Sequence, residues 1–172
     1  MSETNRNRIY GVVVGLVSDV TDPDGLARVK VKFPWLDDET ESSPAPIAAF
    51  MAGDKRGAYF MPEVGDEVLV AFEHGDPSYP YIIGFLWNGA SRPPDTNVNR
   101  RMFRSVNGHQ IEFYDAKEQD GDKGYLRITD AHGNIIEMGN AAIRIKGVGT
   151  ISIEAPHVFI NNRRVTLTSG DI

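Results

Sequence analysis

The sequence predicts an all-β protein in two parts. The front is a small closed barrel, and the back is a β-prism whose walls come from three parallel copies of the chain. Three observations carry this. Residues 1–90 hold about five short apolar segments separated by Gly- and Pro-containing turns, with no long amphipathic helical run. Residues 103–172 repeat apolar pairs at i, i+2 with turn residues between them. Residues 91–102 lie between these stretches and include Pro93-Pro94, which reads as a stiff, extended linker.

The front elements follow in order. Ile9 to Val20 is Val-rich, and Thr21-Asp22-Pro23-Asp24-Gly25 then reverses the chain. Pro fixes φ, Asp bonds its own backbone and Gly takes positive φ. Arg28-Val29-Lys30-Val31-Lys32-Phe33 alternates strictly, so Val29, Val31 and Phe33 share one face and the two segments pair as a hairpin. Residues 34–46 read as a loop filled by Asp37, Asp38, Glu39 and Glu41 and stiffened by Pro44 and Pro46. Residues 57–60, 66–73 and 79–87 are the remaining strand candidates.

In the back half the pairs are Ile111/Phe113, Leu126/Ile128, Ile136/Met138, Ile143/Ile145, Ile151/Ile153, Val158/Ile160 and Val165/Leu167. Their first members are 15, 10, 7, 8, 7 and 7 residues apart. The residue between the members is polar in every pair except the one holding Phe159. One strand plus one turn fits a period of seven to eight. That is one side of a polygon and too short for a complete single-chain coil. A lone chain would leave its edges open and its core thin, whereas three chains sharing one core remove both problems. The 14 paired residues are therefore the expected trimer core. An open β-meander or a hairpin array is the alternative arrangement.

Composition narrows the function. The 172 residues include no Cys, which excludes disulfides, thiol catalysis and zinc–thiolate sites. No run approaches the roughly 18 apolar residues of a membrane span, and the polar start Met-Ser-Glu-Thr-Asn-Arg-Asn-Arg lacks a signal-peptide core. The net charge is −6, and residues 1–90 carry 7 Lys/Arg against 14 Asp/Glu. An acidic front half repels phosphate backbones.

Several blocks in order carry a family likeness: Gly11-Val12-Val13-Val14-Gly15, Asp22-Pro23-Asp24-Gly25-Leu26-Ala27-Arg28, Phe33-Pro34-Trp35, Pro62-Glu63-Val64-Gly65-Asp66, Gly75-Asp76-Pro77, Trp87-Asn88-Gly89 and Ser105-Val106-Asn107-Gly108-His109. With the Ile-x-Phe and Ile-x-Ile steps, they resemble the baseplate spike proteins of contractile phage tails and the VgrG spikes of type VI secretion. One departure is Ala27, where that family usually has Gly. The resemblance implies an oligonucleotide/oligosaccharide-binding (OB) barrel followed by an intertwined trimeric β-helix. It implies a homotrimer that docks on a baseplate hub protein and punctures the target envelope when the sheath contracts. Assembly in the bacterial cytoplasm follows, then residence in a virion or an extracellular injection particle, with transient contact at the target membrane. Neither a hub domain nor an inserted lysozyme is expected within these residues. Seven strand steps at about 4.8 Å give a needle of about 35 Å. The terminal Ser169, Gly170, Asp171 and Ile172 are the expected contact for a PAAR-type tip protein.

No catalytic residue, metal site or cofactor is expected. No nucleophile lies beside a base in a recognisable motif. His74, His109, His132 and His157 include no His-x-His spacing and read as turn or surface residues. Arg28, Lys30 and Lys32, with Tyr10 and Trp35, form the cation–aromatic pattern that single strands need. A solvated or subunit-facing strand is the preferred reading, with no nucleic acid bound. The alternative function is an OB module that binds oligosaccharide or single-stranded nucleic acid. Trp35 and Trp87 are expected to be buried at the barrel base or at a subunit interface.

Overall fold

The turn at Asp22–Gly25 joins β1 (Val12–Asp19) to β2 (Lys30–Phe33), and the two strands pair antiparallel as expected. The computed structural model describes residues 8–117 and 121–165, with the backbone alone at 37–39. It divides into two compact units, the first ending at Pro93 and the second starting at Pro94. Among the described residues there is no α-helix. A single 3-10 turn spans Glu73–Gly75.

In the first unit, β3 (Asp37–Glu41), β6 (Glu67–Phe72) and β7 (Pro80–Leu86) join β1 and β2 in the order β3-β2-β1-β6-β7. Residues 45–48 continue past β3 and close the sheet on itself. Ala45 and Val29 exchange backbone hydrogen bonds at 2.7 and 3.0 Å. Ala48 N–H donates to the Ile82 carbonyl at 2.8 Å, and Ile82 N–H donates to Pro46 at 2.9 Å in a parallel bridge. The result is a five-stranded Greek-key barrel of the OB type. Its core is Val17, Val29, Val31, Phe33, Ala45, Val68, Val70, Phe72 and Ile82.

Two sequence expectations change here. The acidic stretch read as loop forms β3, because Glu41 sits opposite Lys32 and its carboxylate lies 3.7 Å from Lys30 Nζ. Opposite charges across a strand pair favour the ladder that acidic composition alone disfavours. The candidate strand at 57–60 shrinks to a two-rung hairpin, β4 (Ala52–Gly53) with β5 (Arg56–Gly57). Gly57 adopts φ +148°, and a Cβ there would lie 2.5 Å from the Met51 carbonyl oxygen, so the chain leaves the ladder at that residue.

The second unit is an antiparallel meander of β8 (Arg100–Arg104), β9 (Gln110–Tyr114), β10 (Tyr125–Thr129), β11 (Ile135–Gly139) and β12 (Ala142–Lys146). A short hairpin of β13 (Phe159–Ile160) and β14 (Arg163–Arg164) follows. Its turn residues Asn161 and Asn162 both have positive φ. β8 begins within the stretch read as linker. Within one chain, residues 100–146 thus adopt the meander that the sequence left as its alternative.

Candidate functional site

The meander is built by its turns. In Ser105–Gly108, Gly108 takes φ +92° and donates to the Ser105 carbonyl, while Ser105 Oγ accepts the His109 N–H at 3.1 Å. In the next tight turn, one Asp130 carboxylate accepts the His132 and Asn134 N–H groups and the Asn134 side-chain amide at 2.6–2.9 Å. The Asn134 side-chain bond, then the backbone bonds, hold the Asp130 carboxyl below its ordinary range. Gly124 has φ +94°, and a Cβ there would strike the Tyr114 carbonyl. The long β9–β10 connection therefore re-enters the sheet only through glycine.

This register sorts the side chains. Ile111, Ile128, Ile136 and Ile145 lie in one row across β9 to β12, and Phe113, Leu126, Met138 and Ile143 form the adjacent row. These are eight of the 14 predicted core residues, on one face of one sheet. The chain leaves that face exposed: Ile111 is 41% accessible and Ile143 is 76%.

The opposite face carries alternating charge. Glu112, Arg127, Glu137 and Arg144 occupy successive strands in one cross-strand row. Arg127 Nε donates to Glu137 at 2.7 Å, and its guanidinium lies 4.1 Å from the centre of the Tyr125 ring. Glu112 is only 2% accessible. Its carboxylate accepts from Tyr125 OH at 3.0 Å and Gln110 Nε2 at 3.2 Å, and pairs with Arg100 Nε at 3.2 Å. Burial, and then this bond to Glu112, push the Tyr125 phenol up. The signal for this row lies in the alternating charge of the residues inside the first four apolar pairs, which are Glu, Arg, Glu and Arg in turn.

The remaining predicted core residues are not brought to that face. Ile151 and Ile153 are exposed and belong to no strand, Ile160 lies in β13 with Val158 just before it, and Val165 N–H donates to the Val158 carbonyl at 2.7 Å. Leu167 and the predicted tip contact Ser169, Gly170, Asp171 and Ile172 lie outside the described residues.

Comparison with known proteins fits this architecture. The family model for the type VI secretion system/phage-baseplate injector OB domain matches residues 13–87. The type VI secretion system spike protein VgrG5 of Pseudomonas aeruginosa is 33% identical over 143 residues, which is 76% of this chain and 17% of that protein. The chain belongs to the VgrG-like injector spike family. VgrG4b of the same organism is 31% identical over 68% of this chain and 15% of its own length. The spike protein VgrG3 of Vibrio cholerae is 36% identical over 50% of this chain and 9% of its own length. This VgrG-like chain thus spans less than a fifth of the length of each of these three relatives.

In this spike-family barrel two of the three predicted basic residues, Arg28 and Lys30, are paired within the chain. Arg28 donates through Nε and Nη2 to Asp22 at 2.9 and 2.6 Å, and Lys30 faces Glu41. Asp22 also accepts the N–H groups of Asp24, Leu26 and Arg28. The Arg28 guanidinium and these backbone donors hold the Asp22 carboxyl far below its usual range, and Arg28 is raised in turn. The family departure at Ala27 sits inside this turn with φ +57°. Trp35 and Trp87 are 50% and 70% accessible, so the expected burial is not supplied by the chain itself. Trp35 Nε1 donates to the Val14 carbonyl at 3.3 Å. The four His are dispersed, although His109 and His132 have ring centres 6.5 Å apart. His109 Nδ1 accepts the Ala131 N–H at 3.3 Å. Among the described residues, no group of three His, Cys, Asp or Glu could hold a metal ion, and no helix is long and apolar enough to cross a membrane.

Proposed function

We propose that this chain is a structural, non-enzymatic part of the central spike of a contractile injection machine. The meander's apolar face closes around a threefold axis against two further copies, and the later Ile- and Val-rich steps extend the same core as a needle. The OB barrel docks on a baseplate hub protein. Sheath contraction drives the needle through the target envelope, and a PAAR-type protein caps its far end.

The observation that carries this reading is the pair of apolar rows on β9 to β12. Eight half-exposed side chains in register are a poor solvent surface but a ready half of a core. Covering them stabilises an assembly by on the order of 10 kcal/mol per chain. The charged row on the other face suits an outer wall in water. A closed, hydrogen-bonded prism then transmits axial force without strand separation. The pairing of Arg28 and Lys30 with acids weighs against the single-strand-binding alternative.

Sedimentation and an unboiled SDS gel test the reading. A trimer at micromolar concentration that resists SDS is expected. A folded monomer that binds an oligosaccharide or single-stranded DNA would replace the spike reading with the binding-module one.

A further inference from the structure

We infer that Asn107 is a site of spontaneous covalent modification. Its side-chain amide deamidates through a cyclic imide closed on Gly108, while the same dipeptide at Asn88-Gly89 is spared. The inference is independent of the spike function proposed above.

The sequence holds an Asn-Gly step at these two places and nowhere else. Glycine has no Cβ to crowd the ring, so its backbone nitrogen can reach the preceding side chain. That nitrogen gives its proton to solvent base and attacks the Asn Cγ. The N–Cγ bond forms, the Cγ–Nδ2 bond breaks, and the amide leaves as ammonia with a proton taken from water. A second water then opens the imide. Opening at Cγ gives aspartate with the ordinary backbone. Opening at the backbone carbonyl gives isoaspartate, whose main chain runs through Cγ and is longer by a methylene.

The structure sorts the two sites. Asn88 is half-buried, and its Oδ1 accepts the Ala90 and Ser91 N–H groups at 2.9 and 2.7 Å. Its Nδ2 donates to the Glu67 carboxylate at 3.2 Å. All three bonds must break before Cγ can turn toward the Gly89 nitrogen. The Glu67 charge also opposes removal of the Gly89 proton. Asn107 is exposed, and among the described residues its side chain has no hydrogen-bond partner. A single bond restrains the nucleophile, from Gly108 N–H to the Ser105 carbonyl at 3.0 Å. A Cβ built on Gly108 would lie 3.8 Å from Arg104 Nη2, so a guanidinium lies beside this peptide. Its positive charge favours the deprotonated nitrogen.

The position gives the change a consequence. Arg104 and Gln110 form the rung of the β8–β9 ladder next to this turn. An isoaspartyl residue lengthens the turn by a methylene at that rung and loosens β8.

Full-length protein is incubated warm in mildly alkaline buffer, and its tryptic peptides are followed by mass spectrometry. Fragmentation that separates isoaspartate from aspartate identifies the product. We expect the amide-to-acid mass change at Asn107 about tenfold or more faster than at Asn88, with isoaspartate among the products. In urea the two sites should converge, because the bonds that hold Asn88 are gone. Arg104→Gln should slow Asn107 about threefold and leave Asn88 unchanged. Native protein in which Asn107 does not outpace Asn88 overturns the inference. A rate ratio that survives in urea also overturns it, by assigning the difference to local sequence. An unchanged rate in Arg104→Gln removes the guanidinium from the account. Hydrogen exchange of the aged protein should be faster in β8, and unchanged exchange in an isoaspartyl sample overturns the loosening.

Discussion

The barrel and the meander use the same sequence grammar with opposite outcomes. In β2 and β6, alternate residues are apolar, and Val31, Val68 and Val70 are fully buried. In β9 to β12, alternate residues are equally apolar, yet seven of the eight row members are 41–76% accessible and Leu126 is half-buried. The barrel closes through the parallel bridge at Ile47 and Ile82, so its apolar side faces itself. Among the described residues the meander has no closing bridge, so its apolar side is left uncovered by the chain. Period-two alternation establishes that a strand has an apolar face. Closure within the chain decides whether the chain covers that face.

The sharpest way to break this comparison is to place a charge on each apolar side. Val70→Asp buries an unpaired carboxylate and should cost the barrel about 4 kcal/mol or more, read from urea unfolding followed by Trp fluorescence. Ile128→Asp should leave that barrel transition within about 0.5 kcal/mol of wild type while shifting sedimentation from trimer to monomer. Equal effects on barrel unfolding would erase the distinction between the two faces.

Next in size is Glu112→Leu, which leaves Arg100, Tyr125 and Gln110 without their shared acceptor. It should destabilise the meander by about 3 kcal/mol and speed amide exchange in β9 and β10. Glu112→Gln should recover part of this loss, because its amide oxygen still accepts from Tyr125. Unchanged exchange in Glu112→Leu would show that the polar face does not hold the wall together.

Asp22→Asn should lower the melting temperature of the barrel, with a set dependence on pH. The folded Asp22 pKa is depressed, so its contribution is complete above the unfolded value near pH 4 and is lost as pH falls through the folded value. The gap between wild type and variant should therefore be widest at neutral pH and narrow in acid. A gap independent of pH would assign the effect to shape. The smallest effect is a gain: Ala27→Gly relieves a left-handed alanine and should stabilise the barrel by about 1 kcal/mol in thermal melts.

Much of this was legible in the residues. β1, β2, β6 and β7 announce themselves by alternation between turn residues, and eight core positions of the meander by their i, i+2 pairing. β3 was not legible, because an acidic run looks like solvated loop until its cross-strand lysines are known. The start of β8 was hidden by Arg100 and Arg101, which read as linker although Arg100 pairs with Glu112. The closure of the barrel at residues 45–48 rests on a parallel bridge between distant segments, and no local pattern reports such a contact. Ile151 and Ile153 carry the right spacing but find no ladder in the single chain, since spacing specifies a face and leaves its partner unspecified.

The order of these parts along the chain sets a timetable. A ribosome adding about 5–20 residues per second finishes the segment through Leu86 roughly 3–12 seconds before Lys146 is made. During that interval the nascent chain displays a self-contained barrel, and the adhesive wall does not yet exist. In the proposed trimer, sister chains on one message therefore acquire their means of joining late, after each already has a folded head.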